Sequence, residues 1–196
     1  MKATNYETYR KTQIESGQAY QDFVVDCCYR ILNMPISCYS SKLYQQNVGE
    51  SINGVEIKND RKFKESGNLY VEIAEKARPR AGDYAQSGIN RGDNTWLYLI
   101  GDFDTIYVFA KSMLVGMSKS PKYRHVENGT KTSVGFLLPV TDAVKYAAVV
   151  MTPNASEKIA KCQHDMHRLG FESFRTMIEG NASQMMLNLF DDEGTN

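Results

Sequence analysis

Glu50, Glu56, Lys58 and Asp60 are the residues of this chain whose types and spacing could do chemistry together. They fall within Gly49-Glu50-Ser51-Ile52-Asn53-Gly54-Val55-Glu56-Ile57-Lys58-Asn59-Asp60. The segment from Val55 to Asp60 reads as a strand, and strand side chains alternate between faces. Glu56, Lys58 and Asp60 are therefore expected to point the same way. Carboxylates and an ammonium on one face make a compact site for a hard divalent cation and a polarised water. That chemistry suits phosphodiester hydrolysis. Glu-x-Lys alternation is also what an ordinary surface strand carries, as cross-strand ion pairs of small value.

The elements that must hold these residues are readable around them. Residues 17–32 carry Tyr20, Phe23, Val24, Cys27, Cys28 and Ile31 at helical spacing, and Pro35 should end that helix. Residues 37–47 are ambiguous between a strand and a short helix. Val55–Asp60 and Asn68–Lys76 read as two strands joined by a polar loop ending at Gly67, which predicts an antiparallel hairpin. In that hairpin Glu72 would face Glu56 and Lys58. Ala77–Asp93 reads as a loop. Thr95–Gly101 and Thr105–Ala110 are apolar strands, with Asp102 and Asp104 at the turn between them. A short helix is expected from Lys111, a polar loop over Ser118–Thr132 and a buried run over Val134–Val140. Thr141-Asp142 is expected to cap a helix running to Val150. Two further helices are expected, over Ala155–Arg168 and within 174–190, followed by a disordered tail at 191–196.

This order predicts a single α/β (α+β) domain over residues 1–190, with a mixed central sheet flanked by helices. The length of 196 residues suits one domain with a real core. No dinucleotide or phosphate-loop glycine motif is present. No apolar run reaches the ~20 residues that span a bilayer, and the first residues lack the apolar core of a signal peptide. The chain reads as soluble and cytoplasmic. Four cysteines (Cys27, Cys28, Cys38, Cys162) form no C-x-x-C pair and read as buried or half-buried thiols.

Basic and acidic residues balance at 23 each, which argues against a generic polyanion binder but leaves room for local basic patches. Two exist. One comprises Arg78, Arg80 and Arg91. The other comprises Lys119, Lys122, Arg124 and His125, followed by Lys131. Either alone reads as a solvated loop. Trp96, Tyr98 and Tyr107 sit in apolar runs and read as core. His164 and His167, spaced i, i+3, read as surface residues.

The pattern Glu50…Gly54-Val55-Glu56-Ile57-Lys58 resembles the signature of the PD-(D/E)xK nuclease superfamily, in which an acid precedes a strand bearing (D/E)-x-K. Gly67-Asn68-Leu69-Tyr70-Val71-Glu72 and Ser87-Gly88-Ile89 are similar to segments of phage and bacterial proteins assigned to it. The resemblance covers roughly residues 45–112. It implies a restriction-endonuclease-like core and hydrolysis of DNA with Mg²⁺ or Mn²⁺. By the same resemblance, Glu50 and Glu56 would bind the metal, with the Ile57 carbonyl completing the site. Lys58 would orient the attacking water, and Asp60 would serve a second ion or hold Lys58. Arg78, Arg80, Arg91, Lys122 and Arg124 would approach phosphates, and a homodimer would cut both strands.

The chain departs from the pattern at its leading acid, Glu50 rather than Asp, with no preceding Pro and a short step to Glu56. Glu72 in place of Glu50 is the alternative second carboxylate. The rival to a nuclease is a catalytically inert protein on the same fold that acts by binding, as an inhibitor or structural component.

Overall fold

The computed structural model describes residues 3–153 and 175–187. The helix expected over Ala155–Arg168, with Cys162, His164 and His167, and the tail at 191–196 lie outside the described residues.

The first helix, α1 (Ala3–Leu32), buries Tyr20, Val24, Cys27, Cys28, Ile31 and Leu32, the spacing of one apolar stripe. Asn33 takes a left-handed conformation (φ 51), and the Met34 N–H returns to the Cys28 carbonyl at 3.1 Å, so the helix stops short of Pro35. Residues 37–47 resolve into a bridge between Cys38 and Ser51 and a short helix, α2 (Lys42–Asn47), which buries no side chain.

Among the described residues, eight strands form two sheets. The first has the order β1-β4-β5-β8, from β1 (Val55–Asn59), β4 (Leu97–Gly101), β5 (Ile106–Ala110) and β8 (Val149–Met151). β1 runs parallel to β4, and the other pairs are antiparallel. The second sheet is antiparallel throughout, in the order β3-β2-β7-β6: β3 (Ala85–Gln86), β2 (Asn68–Glu75), β7 (Ser133–Pro139) and β6 (His125–Glu127). The chain is thus α+β. Its buried apolar residues, from α1 and from both sheets, form one contiguous cluster.

The expected hairpin of β1 with β2 does not form, and the expected single central sheet is two sheets. The segment between the strands contains a helical turn, α3 (Phe63–Ser66). Phe63 buries its ring edge-on against Tyr107 of β5 at 5.8 Å. Lys64 pairs with Asp102 at 2.7 Å and with Asp104, which commits those two acids to the β4–β5 turn. With this connection pinned to the first sheet, β2 is diverted into the second. β1 instead pairs with β4, which is buried along its length, and Val55, Glu56 and Ile57 are themselves buried, as a parallel strand tends to be.

The chain leaves β7 directly into α5 (Val140–Tyr146), so the helix starts ahead of the expected Thr141-Asp142 cap. Asp142 is used elsewhere, accepting from the Tyr123 hydroxyl at 3.0 Å and pairing with Lys122 at 2.9 Å. The helix stops at Tyr146 because the following residues are needed as β8 along β5. α4 (Lys111–Lys119), a single 3-10 turn (Gly88–Asn90) and a helix over 175–187, α6, complete the described elements. Arg175 of α6 lies over the Trp96 ring at 5.1 Å.

Gly54 sets the entry into β1. Its φ is 69, and a Cβ there would collide with the Asn94 carbonyl and the Trp96 ring. Gly54→Ala is expected to lose more than about 1 kcal/mol of stability, from the left-handed backbone plus the collision. Urea denaturation checks this, and an unchanged midpoint would mean that the turn has another conformation.

Candidate active site

α1, β1 and β2 wall a cleft of about 940 Å³ whose lining includes Glu50, Lys58, Asp60, Glu72, Tyr98 and Arg91. It brings together three of the four residues expected to act, Glu50, Lys58 and Glu72. The fourth, Glu56, lies behind Lys58 rather than in the lining.

Glu50 is fixed from several directions. Its backbone carbonyl accepts from the Tyr39 N–H at 3.0 Å. The neighbouring Ser51 hydroxyl takes the Val55 N–H at 2.8 Å, and Asn94 donates to the Ser51 carbonyl at 2.9 Å. The Glu50 carboxylate accepts from Gln21 of α1 at 3.0 Å and from the Ile57 N–H at 3.1 Å. β1 is an edge strand, and this N–H faces away from β4, so Glu50 occupies the free edge. The Ile57 carbonyl shares that edge, because a residue's N–H and C=O point to the same side of a strand. Burial pushes the Glu50 carboxyl above the usual carboxylate range, although Lys58 and the Ile57 N–H act in the opposite direction.

Lys58 and Glu56 do share a face, as alternation requires. Their side chains meet at 2.7 Å, with Glu56 only 1% exposed and Lys58 38% exposed at the cleft. Thr95 also donates to Glu56, at 3.4 Å. Desolvation alone would lower the Lys58 ammonium; Glu56, Tyr98 and Glu50 more than offset it, so the group is held firmly in its charged form.

Glu72 comes from the second sheet. Gly88 (φ 52) lets the chain pass against the Glu72 backbone, and there the Ser87 hydroxyl donates to the Glu72 carboxylate at 2.8 Å. Burial raises the Glu72 carboxyl as well, against the lowering influence of Ser87 and Lys58. Glu72 therefore converges on Lys58 by juxtaposition of two sheets, not by pairing across a hairpin.

Asp60 lies one residue beyond β1, and both its oxygens are engaged, by the Lys62 N–H at 2.9 Å and the Tyr70 N–H at 2.8 Å. The second bond ties β1 to β2, so Asp60 staples the two walls of the cleft.

The basic residues separate. Arg91 lines the cleft, 4.0 Å from Glu75, together with Lys42, Arg61 and Lys62. Arg78, Arg80, Lys122 and Arg124 are exposed and outside the lining. Cys27 and Cys28 are buried thiols and Cys38 is half-buried. His125 is exposed, with its ring Nε2 2.9 Å from the Ser118 carbonyl.

Gln21, Tyr98, Thr95 and Ser87 contribute to the site, a role that sequence reasoning assigned to none of them. Gln21 carried a signal, as a polar residue beside the apolar stripe of α1. Tyr98 is buried among apolar neighbours as expected, yet it also reaches the cleft beside Lys58.

Among the described residues, no three His, Cys, Asp or Glu side chains gather into a ready metal site. The site offers two half-buried carboxylates, Glu50 and Glu72, from opposite walls, with their charge disfavoured by partial burial. That donor chemistry fits Mg²⁺, which is commonly held by one or two carboxylates plus waters and substrate phosphate rather than by an all-protein cage.

No helix among the described residues is long and apolar enough to cross a membrane. Comparison with protein-family models, with curated proteins and with solved structures found no match. The fold and site thus define an α+β protein with a deep, acid- and lysine-lined cleft between two sheets.

Proposed function

We propose that this protein is a metal-dependent deoxyribonuclease on a restriction-endonuclease-like core. The observation that carries this reading is the convergence of Glu50, Lys58 and Glu72 on one cleft, bordered by Lys42, Arg61, Lys62 and Arg91. Glu50 and Glu72 would hold Mg²⁺ or Mn²⁺, which when bound neutralises phosphate charge and acidifies a coordinated water. Lys58, kept charged by Glu56, orients the nucleophile and stabilises charge developing at the phosphate. The bordering cations attract the DNA backbone, so binding weakens with salt.

Ion binding has a signature independent of cleavage. Both glutamates hold their protons more tightly in the folded state than in the unfolded one. Their contribution to stability is therefore present at low pH and lost as pH rises from the usual carboxylate range through the raised folded values. A bound divalent cation offsets that loss. Mg²⁺ is expected to raise the melting temperature at neutral pH, to do so less in acid, and not to do so in Glu50→Gln/Glu72→Gln. Melting curves with MgCl₂ and with EDTA measure this, alongside conversion of supercoiled plasmid by the wild type. Absence of both the Mg²⁺ shift and cleavage would sink the proposal.

One observation favours the rival, a binding protein without catalysis. Lys58 is already paired with Glu56 at 2.7 Å, as a purely structural ion pair would be. That rival predicts DNA or protein binding with no cleavage under either metal.

A further inference from the structure

Two buried polar atoms on the cleft wall have no hydrogen-bond partner among the described residues: the Tyr20 hydroxyl and Asn59 Oδ1. Both residues line the cleft that holds Glu50 and Lys58. Tyr20 is only 1% exposed. An orphaned buried hydroxyl carries its full desolvation cost, so such groups are rare in folded proteins. This one is also held in place. Its ring packs edge-on against Phe103 at 5.3 Å and beside Phe23 at 6.4 Å, and Phe23 and Phe103 pack together at 4.9 Å.

The Tyr20 hydroxyl is thus a held donor, and Asn59 Oδ1 is an acceptor on the same cleft wall. Both groups are uncharged, so a neutral ligand edge suits them better than a phosphate does. Arg61 and Lys62 follow Asn59 closely and line the same cleft, so cations are at hand for a phosphate attached to that edge. A planar neutral edge carrying both a donor and an acceptor, linked to a phosphate, is a nucleotide. In a duplex the pairing edges of the bases are already engaged. A base splayed from a single strand leaves them free, and a cleft of about 940 Å³ accommodates it.

We propose that Tyr20 and Asn59 form a recognition subsite for an unpaired nucleotide of a DNA strand. This deepens the nuclease reading and rests on it for the polymer bound. The subsite makes single-stranded or frayed DNA the preferred ligand over blunt duplex.

The test is fluorescence anisotropy in EDTA with a short fluorescein-labelled single strand and with the blunt duplex of the same sequence. The proteins compared are the wild type, Tyr20→Phe and Asn59→Ala. The single strand is expected to bind more tightly than the duplex. Each substitution should weaken single-strand binding by about 3- to 10-fold, the value of one neutral hydrogen bond, and leave duplex binding unchanged. Tyr20→Phe should melt no lower than the wild type, since it removes a hydroxyl without a partner. Equal binding of strand and duplex, no binding of either, or a loss of stability in Tyr20→Phe would each overturn the proposal. Strand binding that depends on Tyr20 in a protein that never cleaves DNA would retain the subsite and remove the nuclease. Cleavage that is indifferent to Tyr20 and Asn59 would do the reverse.

Discussion

On the proposed nuclease reading, Lys58→Met should lower DNA cleavage by about 10²- to 10³-fold, the usual loss when a group stabilising transition-state charge is removed. The ammonium is the cation that Glu50, Glu56 and Glu72 share, and it opens onto the cleft. The single variant has a second consequence. It leaves the Glu56 carboxylate, 1% exposed, with Thr95 at 3.4 Å as its remaining donor among the described residues. Breaking a buried pair from one side costs about 3–5 kcal/mol, so lost structure would also lower activity. Lys58→Met/Glu56→Gln separates the two effects, because a neutral amide needs no counter-charge. The double variant is expected to melt closer to the wild type than Lys58→Met and to remain inactive. Activity in a well-folded double variant would remove Lys58 from the mechanism. Single-turnover plasmid cleavage and urea denaturation of the three proteins measure this.

Lys111→Met should destabilise the fold by about 3–5 kcal/mol. Lys111 opens α4, where a cation opposes the helix dipole and calls for a compensating partner. Its ammonium donates to Asp93 at 2.9 Å and to the Arg91 carbonyl at 2.6 Å, with the side chains 12% and 1% exposed for Lys111 and Asp93. Burial works against the charged Asp93, but Lys111 and the Thr95 N–H outweigh it and hold the carboxyl below its usual range. A depressed carboxyl stabilises the fold above its unfolded value, and that contribution is lost as pH falls through the folded value. The gap between the wild type and Lys111→Met should therefore narrow in acid, where Asp93 takes up a proton. Lys111→Met/Asp93→Asn, which keeps an acceptor for Thr95, should recover most of the loss at neutral pH. Urea titrations at neutral and acidic pH measure both. A constant gap across pH would mean that the pair is not the cause. Since Lys111 also holds the Arg91 carbonyl, Lys111→Met should weaken DNA binding as well.

The elements were legible in the sequence where a local pattern decides them. The stripe of Tyr20, Val24, Cys27, Cys28 and Ile31 specified the core face of α1, and the apolar runs specified β4, β5 and β7. Pairing was not legible, because it depends on partners far along the chain. Val55 meets Leu97, and Asn68 meets Pro139. The tripeptide Glu56-Ile57-Lys58 is compatible with either a hairpin or a parallel edge, and a buried Phe63 in an otherwise polar connection decided between them. The candidate site followed the same division. Alternation correctly put Glu56 beside Lys58, and Glu50 and Glu72 could be picked out by type. The bonds that fix them, from Gln21, Ile57 and Ser87, come from three separate elements, and spacing along the chain does not reveal them.

The distribution of β1 and β2 between two sheets has a kinetic consequence. Each sheet is completed only by a strand made late in synthesis: β7 joins β2 to β6, and β8 adds the last edge to β5. A nascent chain that has produced Glu50, Lys58 and Glu72 still lacks the strands that hold their walls together. Long-range pairings of this kind are slow, since loop closure precedes the contacts that reward it. The cleft should accordingly be among the last features to mature in refolding, after α1 and the β4–β5 hairpin have gained protection from hydrogen exchange.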